Sequence, residues 1–207
     1  MEFDVLTPTT YALYEIDRPL SNRGFNMIDG RGITGTSIEI LRRQGAVSIL
    51  DAGCGTGRAL YELAGQVAFR VSADPGVITA VGLNLDDFSH LSEDPRVARA
   101  IAAGYIEYRV GSIEDAPRSG QRFDLVYSHE VFMHSAHPDV LLRALAECTA
   151  PGGVLYFNVD QPQRAQMGSA VDELRANGWT VSELEVAGFG YRDGDKRRVF
   201  YRCDRAT

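Results

Sequence analysis

Apolar residues along the chain fall into short, strand-length runs that alternate with segments of helical periodicity. The runs predicted as buried strands are 46–50, 77–83, 105–110, 123–128, 154–159, 181–186 and 197–203. Amphipathic patterns between them predict one helix that begins at residue 58 and three that cover residues 95–104, 139–149 and about 163–177. Strands that alternate with helices indicate right-handed crossover units in a mostly parallel sheet that is covered on both faces.

The last two predicted strands are connected differently from the others. The turn-rich segment GFGYRDGDK joins residues 181–186 to residues 197–203, where the earlier pairs have a helix. This pattern predicts an antiparallel pair at the end of the chain. The fold class is therefore α/β, with a doubly wound, seven-stranded, mostly parallel sheet that ends in an antiparallel pair. Ligands of such sheets bind at the carboxyl ends of the strands.

The first 45 residues differ in character from the rest of the chain. They carry Tyr11, Tyr14 and Phe25 among several glycines and end in the helix-like stretch TSIEILRRQ. The segment could be a helix that only packs on the sheet, or a lid whose apolar residues contact a substrate while its glycines act as hinges. We predict an N-terminal helical lid, or substrate cover, over residues 1–45 and a ligand-binding domain over residues 46–207.

Composition narrows the class of partner and the compartment. The net charge of −7 argues against nucleic acid or an anionic membrane as a partner. The three cysteines are scattered without a CxxC spacing, which favours a reducing compartment. The chain has neither a signal-peptide pattern at its start nor an apolar run of membrane-spanning length, so we expect a cytoplasmic protein without a membrane association.

A glycine-rich loop, DAGCGTG, follows the first predicted strand and opens a helix. Gly53, Gly55 and Gly57 allow a sharp turn and a close approach of a ligand to the backbone. A dinucleotide fingerprint would place its third glycine at position 58, where this chain has Arg58. Asp51, two residues before the first glycine, can meet an ammonium group, which a nicotinamide cofactor lacks.

This loop resembles the first motif of the class I S-adenosylmethionine-dependent methyltransferases, in which a strand ends in Asp/Glu-x-Gly-x-Gly-x-Gly. Four further stretches, AVGLNLDD, GSIEDAP, FDLVYSHEVFMH and APGGVLYF, resemble later motifs of the family and occur in the family's order. The resemblance covers residues 46 to about 159. It implies a Rossmann-like fold, S-adenosyl-L-methionine as the cofactor and methyltransferase activity.

The resemblance also implies which residues contact the cofactor. Asp51, Gly53 and Gly55 would hold its methionyl end, and the full predicted set is Asp51, Gly53, Cys54, Gly55, Gly57, Asn84, Leu85, Ser112, Ile113 and Ser128. The family usually has acids where this chain has Asn84 and Ser112, and charge-assisted hydrogen bonds are about twice as strong as neutral ones. We therefore expect micromolar cofactor binding. Asp86 could substitute for the acid at position 84, but its more common role would be the N-cap of the next helix. An altered cofactor and a cofactor-binding accessory subunit are the alternatives.

The stretch YSHEVFMHSAHPD holds three histidines beside the expected position of the reactive methyl group. Two metal-using branches of the family, the small-RNA terminal methyltransferases and the ubiquinone-pathway O-methyltransferases, carry Glu-x-x-Glu-His here. This chain matches at Glu130 and His134 but has Met133 in place of the second acid. Because Mg²⁺ requires oxygen ligands, we predict no bound metal.

The remaining interpretations of this stretch are general base, substrate contact and ordinary structural histidine. A neutral imidazole near pH 7 suits the deprotonation of a hydroxyl or an amine. We predict catalytic roles for His129, His134 and Glu130, and a structural role for His137. The predicted substrate contacts are Tyr11, Tyr14, Phe25, His129, Phe132 and His134.

The substrate itself is constrained only in class. No Asn/Asp-Pro-Pro-Tyr motif follows the fourth strand, which disfavours amino methylation of adenine or glutamine. The site would be covered by residues 1–45, 129–138 and 188–195, or by a partner subunit in a homodimer. We expect a small-molecule acceptor with an oxygen, nitrogen or carbon nucleophile. Methylation of a peptide or protein, and a cyclisation that releases methylthioadenosine, are the alternatives.

Overall fold

The computed structural model describes residues 32–71, 75–87, 95–184 and 198–207. The described helices are α1 (Ile33–Gln44), α2 (Arg58–Val71), α3 (Pro95–Ala102), α4 (Pro138–Cys148) and α5 (Gln161–Ala176). The strands are β1 (Val47–Ala52), β2 (Ile78–Asn84), β3 (Glu107–Val110), β4 (Phe123–Ser128), β5 (Thr149–Asp160), β6 (Trp179–Leu184) and β7 (Arg198–Arg205). Short 3₁₀ turns cover Pro75–Val77, Ala116–Ser119 and Phe132–His134. The predicted alternation of strands and helices is confirmed.

The strands form one seven-stranded sheet in the order β3-β2-β1-β4-β5-β7-β6. Strands β1 to β5 run parallel, and β7 lies antiparallel between β5 and β6. The predicted fold class, including the terminal antiparallel pair, is therefore confirmed. The strand order reverses between β1 and β4, which makes their carboxyl ends the expected position of a ligand.

Adjacent residues of the central strands face two different apolar layers. On β1, Ile49 faces the layer made with α1, α2 and α3, while Leu50 faces the layer made with α4 and α5. Both side chains are fully buried. Burial of a leucine or isoleucine stabilises a fold by about 1.5–3 kcal/mol. The two layers pack on both faces of the sheet, so a ligand would bind at its carboxyl edge.

Helix α1 belongs to the first of these layers. Ile33, Ile38 and Leu41 are buried in it, and the N–H of Gly45 donates to the carbonyl oxygen of Leu41 at 2.8 Å. Gly45 has φ 78°, the left-handed conformation that commonly ends a helix. Residues 33–44 thus pack on the sheet. Tyr11, Tyr14 and Phe25 lie outside the described residues, so the lid and the domain boundary at residue 45 stay predictions.

Strand β5 begins five residues earlier than the sequence pattern suggests. We expected Pro151-Gly152-Gly153 to separate helix and strand, yet β5 already starts at Thr149, opposite Phe123. A Cβ at Gly153 would lie 2.8 Å from the Ala150 carbonyl oxygen, so only glycine fits there. The pairing register shifts across this segment. Tertiary pairing with β4 therefore extends the strand through residues that locally favour a turn.

The cysteines and the helix lengths bear on the expected compartment. Cys54, Cys148 and Cys203 are buried thiols, and burial raises the pKa of Cys148 to about 11 and that of Cys203 to about 12. Of the helices that the structure describes, none combines the length and the apolarity needed to cross a bilayer. The cytoplasmic location stays an expectation.

Candidate functional site

The glycine loop leaves β1 at the carboxyl edge of the sheet with three residues in the left-handed region. Gly53, Gly55 and Gly57 have φ values of 87°, 53° and 77°. A Cβ at Gly53 would lie 2.1 Å from Cγ2 of Val131, whereas a Cβ at Gly55 would meet nothing within 4 Å. Gly53 therefore allows the chain after β4 to pack on the loop, and Gly55 keeps the loop open toward the edge of the sheet.

A buried acid and a buried phenol meet directly beneath this loop. Asp51 and Tyr127 are paired residues of β1 and β4, and the Tyr127 hydroxyl donates to Oδ2 of Asp51 at 2.7 Å. Asp51 is only 3% exposed. Burial raises the pKa of Asp51 to about 7, although the hydrogen bond from Tyr127 lowers it. Burial and the Asp51 charge raise the pKa of Tyr127, so Tyr127 stays a neutral donor. The sequence reasoning predicted Asp51 and missed the role of Tyr127.

Asn84 braces the glycine loop from the end of β2. Its Oδ1 accepts from the N–H of Gly55 at 3.4 Å, and its Nδ2 donates to the carbonyl oxygen of Asp86 at 2.8 Å. A carboxylate could not make the second of these bonds, because it has no proton to donate. The Tyr108 hydroxyl on β3 also donates to the carbonyl oxygen of Gly55, at 2.6 Å. Tyr108 was not among the sequence predictions.

Two exposed apolar side chains lie beside Asn84. Leu85 follows it directly and is 69% exposed, while Val110 is its register partner on β3 and is 59% exposed. Large exposed apolar residues at the carboxyl ends of neighbouring strands favour contact with a flat apolar ligand. A cavity of about 250 Å³ continues from Val110 under the following loop, lined in part by Leu83, Gly111 and Ser112.

The loop after β3 carries a carboxylate that the motif comparison did not assign. The Ser112 hydroxyl donates to Oε2 of Glu114, and the N–H of Glu114 donates back to the Ser112 hydroxyl oxygen. Glu114 is exposed, so its carboxylate stands beside Ser112 at the surface. Ile113 points the other way and is buried among the core residues of the second layer. The acid missing at position 112 is thus present two residues later.

The end of β4 and the segment that follows it bring three predicted residues to the edge of the sheet. Ser128 is buried, and its hydroxyl has no hydrogen-bond partner within the part of the chain that the structure describes. The His129 imidazole stacks on the ring of Phe200, with centroids 6.2 Å apart and an interplanar angle of 13°. Nε2 of His129 lies 3.9 Å from Oε1 of Glu130. An imidazole and a carboxylate therefore stand together here, on the same sheet edge as Asp51.

The rest of this segment separates into core and surface residues. Phe132 is fully buried and packs on Phe157 with ring centroids 5.2 Å apart, so its side chain belongs to the core. His134 is exposed at the end of the 3₁₀ turn. His137 occupies the N-cap position of α4, where its carbonyl oxygen accepts from the N–H groups of Val140 and Leu141.

Metal-ligating side chains do not gather in the described residues. Within residues 32–71, 75–87, 95–184 and 198–207, no group of three histidine, cysteine or acidic side chains is arranged to hold a metal ion. Met133, half-buried in the 3₁₀ turn, stands where a second acid would be needed. The absence of a metal site stays a prediction.

Comparison with known proteins identifies the fold and the family. The family profile described as "Methyltransferase domain" matches residues 50–157. Ubiquinone biosynthesis O-methyltransferase of Azorhizobium caulinodans is 34% identical over 115 residues, which are 56% of this chain and 41% of that protein. The chain thus spans less than half the length of the curated relatives that it matches.

Solved structures agree with this assignment at the level of the fold. An O-methyltransferase family protein of Burkholderia thailandensis superposes with a TM-score of 0.57 at 15% identity, over 99% of this chain and 64% of that one. The methyltransferase domain of the bacterial protein CtHen1 gives a TM-score of 0.58 at 15% identity, over 86% of this chain and 99% of that domain. The matched motifs, the seven-stranded sheet and the family profile together establish that the chain belongs to the class I S-adenosylmethionine-dependent methyltransferase family.

Proposed function

We propose that this protein transfers a methyl group from S-adenosyl-L-methionine to a small-molecule acceptor. The observation that carries the proposal is the open, left-handed glycine loop directly above a buried Asp51 carboxylate. Gly55 leaves room for a ligand against the backbone, because a Cβ there would project into open space. A buried carboxylate with a single hydroxyl donor is ready to receive a positive group.

The methionyl end of the cofactor fits the residues around the loop. Its ammonium group would approach Asp51, which needs a cation to stay ionised below pH 7 because burial raises its pKa to about 7. The buried hydroxyl of Ser128, which lacks a partner among the described residues, would gain one from a polar group of the ligand. Cys54 and Gly57 complete the loop and turn it back onto the sheet, with Gly57 N–H donating to the Cys54 carbonyl oxygen.

The adenosine end fits the loops that follow β2 and β3. Leu85 and Val110 provide apolar surface for the adenine ring, and Glu114 provides a carboxylate for its amino group. Asn84, whose side chain is committed to the loop, would meet the ribose with its remaining amide hydrogen. Ile113 supports this loop from the core. Because Glu114 would supply the carboxylate that position 112 lacks, the weaker cofactor binding expected from the sequence would come mainly from the contact between Asn84 and the ribose.

When bound, S-adenosylmethionine supplies an electrophilic methyl group on a sulfonium. The acceptor's lone pair forms the new bond to that methyl carbon, and the sulfur keeps the electrons of the bond that breaks. The chain's contribution is to hold the two reactants in line and to exclude water, which can lower a barrier by roughly 7–11 kcal/mol. Residues at the carboxyl ends of both β1 and β4 would define that line, since the strand order reverses between these two strands.

A hydroxyl or amine acceptor must also lose a proton. We assign this role to His129, whose ring is held against Phe200 and stands 3.9 Å from the Glu130 carboxylate. The carboxylate would stabilise the imidazolium that forms. General base catalysis of this kind typically raises a rate by about 10²–10⁴-fold. His134, exposed at the end of the 3₁₀ turn, would contact the acceptor from the solvent side.

The relatives favour oxygen as the accepting atom. The Azorhizobium caulinodans relative is named as a ubiquinone biosynthesis O-methyltransferase, and the matched segment covers 41% of that protein. Met133 in place of an acid favours methyl transfer to the acceptor with His129 as the base and without a divalent cation. Tyr11, Tyr14 and Phe25, outside the described residues, remain proposed substrate contacts, and a homodimer remains a proposal for completing the cover.

The test is calorimetry with S-adenosylmethionine and S-adenosylhomocysteine on the wild type and two alanine variants. Gly55→Ala and Gly45→Ala both place a Cβ on a left-handed residue with nothing within 4 Å. Gly45 precedes β1 at the opposite edge of the sheet, so only Gly55→Ala puts a methyl group where the cofactor would lie. We expect about a tenfold or larger loss of affinity for Gly55→Ala, about 1.4 kcal/mol or more, and little change for Gly45→Ala. Absence of binding to the wild type, or equal losses in both variants, would refute the proposal.

The product distinguishes methyl transfer from the alternative chemistry. Methyl transfer releases S-adenosylhomocysteine, whereas cyclisation of the aminobutyryl group releases methylthioadenosine. Chromatography of the nucleoside products after incubation with pools of candidate acceptors separates the two. Binding of S-adenosylmethionine without either product, and activity only after a second protein is added, would indicate an accessory subunit.

A further inference from the structure

Glu130 has an unusual backbone conformation for its residue type. Its φ is 58°, and it is the one residue other than glycine with a positive φ among those that the structure describes. The left-handed region is unfavourable for a side chain with a Cβ, and such residues persist only where the surroundings hold them. The feature lies two residues after the end of β4, between His129 and the segment that packs on the glycine loop.

The chain is fixed on both sides of Glu130. Before it, Ser128 is paired with Phe157 in the sheet. After it, Val131 packs so closely on Gly53 that a Cβ there would lie 2.1 Å from its Cγ2, and Phe132 is fully buried against Phe157. The backbone must therefore turn sharply within two residues, and the left-handed conformation of Glu130 makes that turn.

A buried side chain on β5 binds the turn itself. Oδ1 of Asn158, on β5, accepts from the backbone N–H of Glu130 at 2.8 Å. Asn158 is 2% exposed, and its Oδ1 is already bonded to the Glu130 amide. A polar side chain buried to this degree in a strand is retained only when it makes a needed hydrogen bond.

The neighbour of Asn158 in the sheet holds the adjacent histidine. Asn158 is the register partner of Phe200 on β7, and the two side chains lie on the same face of the sheet. His129 stacks on the Phe200 ring with centroids 6.2 Å apart. One cross-strand pair thus contacts both members of the His129–Glu130 pair, through an amide on one side and an aromatic ring on the other.

We infer that Asn158 is a positioning residue that fixes the strained turn at Glu130 and thereby the direction of the His129 imidazole at the site. The role rests on the proposed function, in which His129 faces the acceptor. Asn158 acts through the backbone and touches neither cofactor nor substrate. The sequence pattern does not reveal it, because Asn158 stands in an apolar run of β5 and lies 28 residues from its partner.

The test compares three substitutions in the full chain by nuclear magnetic resonance. Asn158→Leu keeps the number and branching of the side-chain heavy atoms and removes the acceptor, and Asn158→Asp keeps an acceptor for the Glu130 N–H. Thr149→Val is the matched control, because it deletes another buried side-chain hydrogen bond of β5, from Thr149 Oγ1 to the Leu145 carbonyl oxygen at 2.9 Å, at the other end of the strand. Asn158→Ser, which is too short to span the contact, serves if Asn158→Leu does not fold.

The readouts are hydrogen exchange of the Glu130 amide and the imidazole resonances of His129, with those of His134 and His137 as internal references. We expect Asn158→Leu or Asn158→Ser to speed exchange at Glu130 by about tenfold or more and to shift the His129 signals alone. Asn158→Asp should keep the amide protected, and Thr149→Val should change neither readout. Unchanged Glu130 exchange in Asn158→Leu, or equal shifts in all the histidines, would overturn the inference.

Calorimetry with S-adenosylhomocysteine separates this inference from the proposed function. The Asn158 variants should bind S-adenosylhomocysteine within about threefold of the wild type, because the glycine loop and Asp51 are left in place. If the wild type fails to bind it, the proposed function fails while the resonance data still decide the role of Asn158. A large loss of binding in Asn158→Leu alone would mean that Asn158 shapes the cofactor site, and would overturn a role confined to the turn.

Discussion

Tyr127→Phe tests the buried pair beneath the glycine loop. The substitution removes the hydroxyl that donates to Oδ2 of Asp51 at 2.7 Å and leaves the ring in its buried position. Loss of a hydrogen bond to a charged group costs about 1.5–3 kcal/mol, and loss of one to a neutral group costs about 0.5–1.5 kcal/mol. The stability lost in Tyr127→Phe therefore depends on whether Asp51 is ionised, so the informative measurement is how this loss changes with pH.

The direction of that dependence follows from the pKa of Asp51. Burial raises the pKa of this carboxyl from 3.8 to about 7. Between these two pH values the carboxyl is protonated in the folded state and ionised in the unfolded state. The stability that Asp51 contributes is complete below about pH 4 and decreases as the pH rises toward 7, by roughly 4 kcal/mol in total. Above pH 7 the folded protein holds an ionised carboxylate, and the Tyr127 hydroxyl is then its donor.

We expect Tyr127→Phe to lower the free energy of unfolding by about 1 kcal/mol at pH 5 and by about 2–3 kcal/mol at pH 8. The variant also raises the pKa of Asp51 further, because the bond from Tyr127 is what lowers it. Urea unfolding followed by circular dichroism at both pH values measures the two penalties.

Tyr156→Phe is the matched control for this measurement. Tyr156 is also a buried sheet tyrosine, but its hydroxyl bonds to Oγ1 of Thr36 at 2.9 Å and contacts Arg202, and neither partner changes its charge between pH 5 and pH 8. Its penalty should be about 0.5–1.5 kcal/mol at both pH values. An equal penalty for Tyr127→Phe at pH 5 and pH 8, or the same pH dependence in Tyr156→Phe, would refute the account of the Asp51 pair.

Three further predictions concern ligand binding and chemistry. Glu114→Gln should weaken binding of S-adenosylhomocysteine by about tenfold in calorimetry, whereas Asp172→Asn, which removes an exposed acid paired with Arg175 on α5, should leave it unchanged. Binding of S-adenosylmethionine should strengthen as the pH rises toward 7, since an ammonium favours ionised Asp51, and below pH 7 binding should release a proton. Calorimetry in buffers of different ionisation enthalpy counts that proton. An affinity that does not change with pH would contradict the placement of the ammonium. Once an acceptor is found, His129→Gln should lower turnover by about 100-fold or more, and a chelator should have no effect on activity.

Much of the site follows from local requirements that a sequence displays. Gly53 and Gly55 could be predicted because positive φ values require glycine at specific places after a strand. Asp51 was predicted from its spacing to them. Leu85 follows in the same way, since it stands directly after the strand that ends at Asn84. In each case the candidate residue lies within a few positions of the feature that predicts it.

Other assignments stay predictions or were missed, because they depend on which side of the chain faces the ligand. Phe132 was expected to contact substrate, yet the turn at Glu130 directs its ring into the core. Ile113 was expected to contact adenine, but it is buried while Glu114 is exposed. In a short loop, neighbouring side chains point in opposite directions, so an assignment that is off by one residue confuses a buried side chain with an exposed one. The sequence of the loop does not indicate on which side the sheet lies.

The sequence by itself determined the alternation of strands and helices, the glycine loop and the antiparallel pair at the end, because these depend on periodicity and on local backbone sterics. The tertiary structure alone decided the order of the strands and the contacts between residues far apart in the chain. Tyr127 reaches Asp51 across 76 positions, and Asn158 reaches Glu130 across 28. Such pairs form only when β4 lies between β1 and β5, so the electrostatics of the buried acid and the orientation of the histidine are properties of the sheet as a whole.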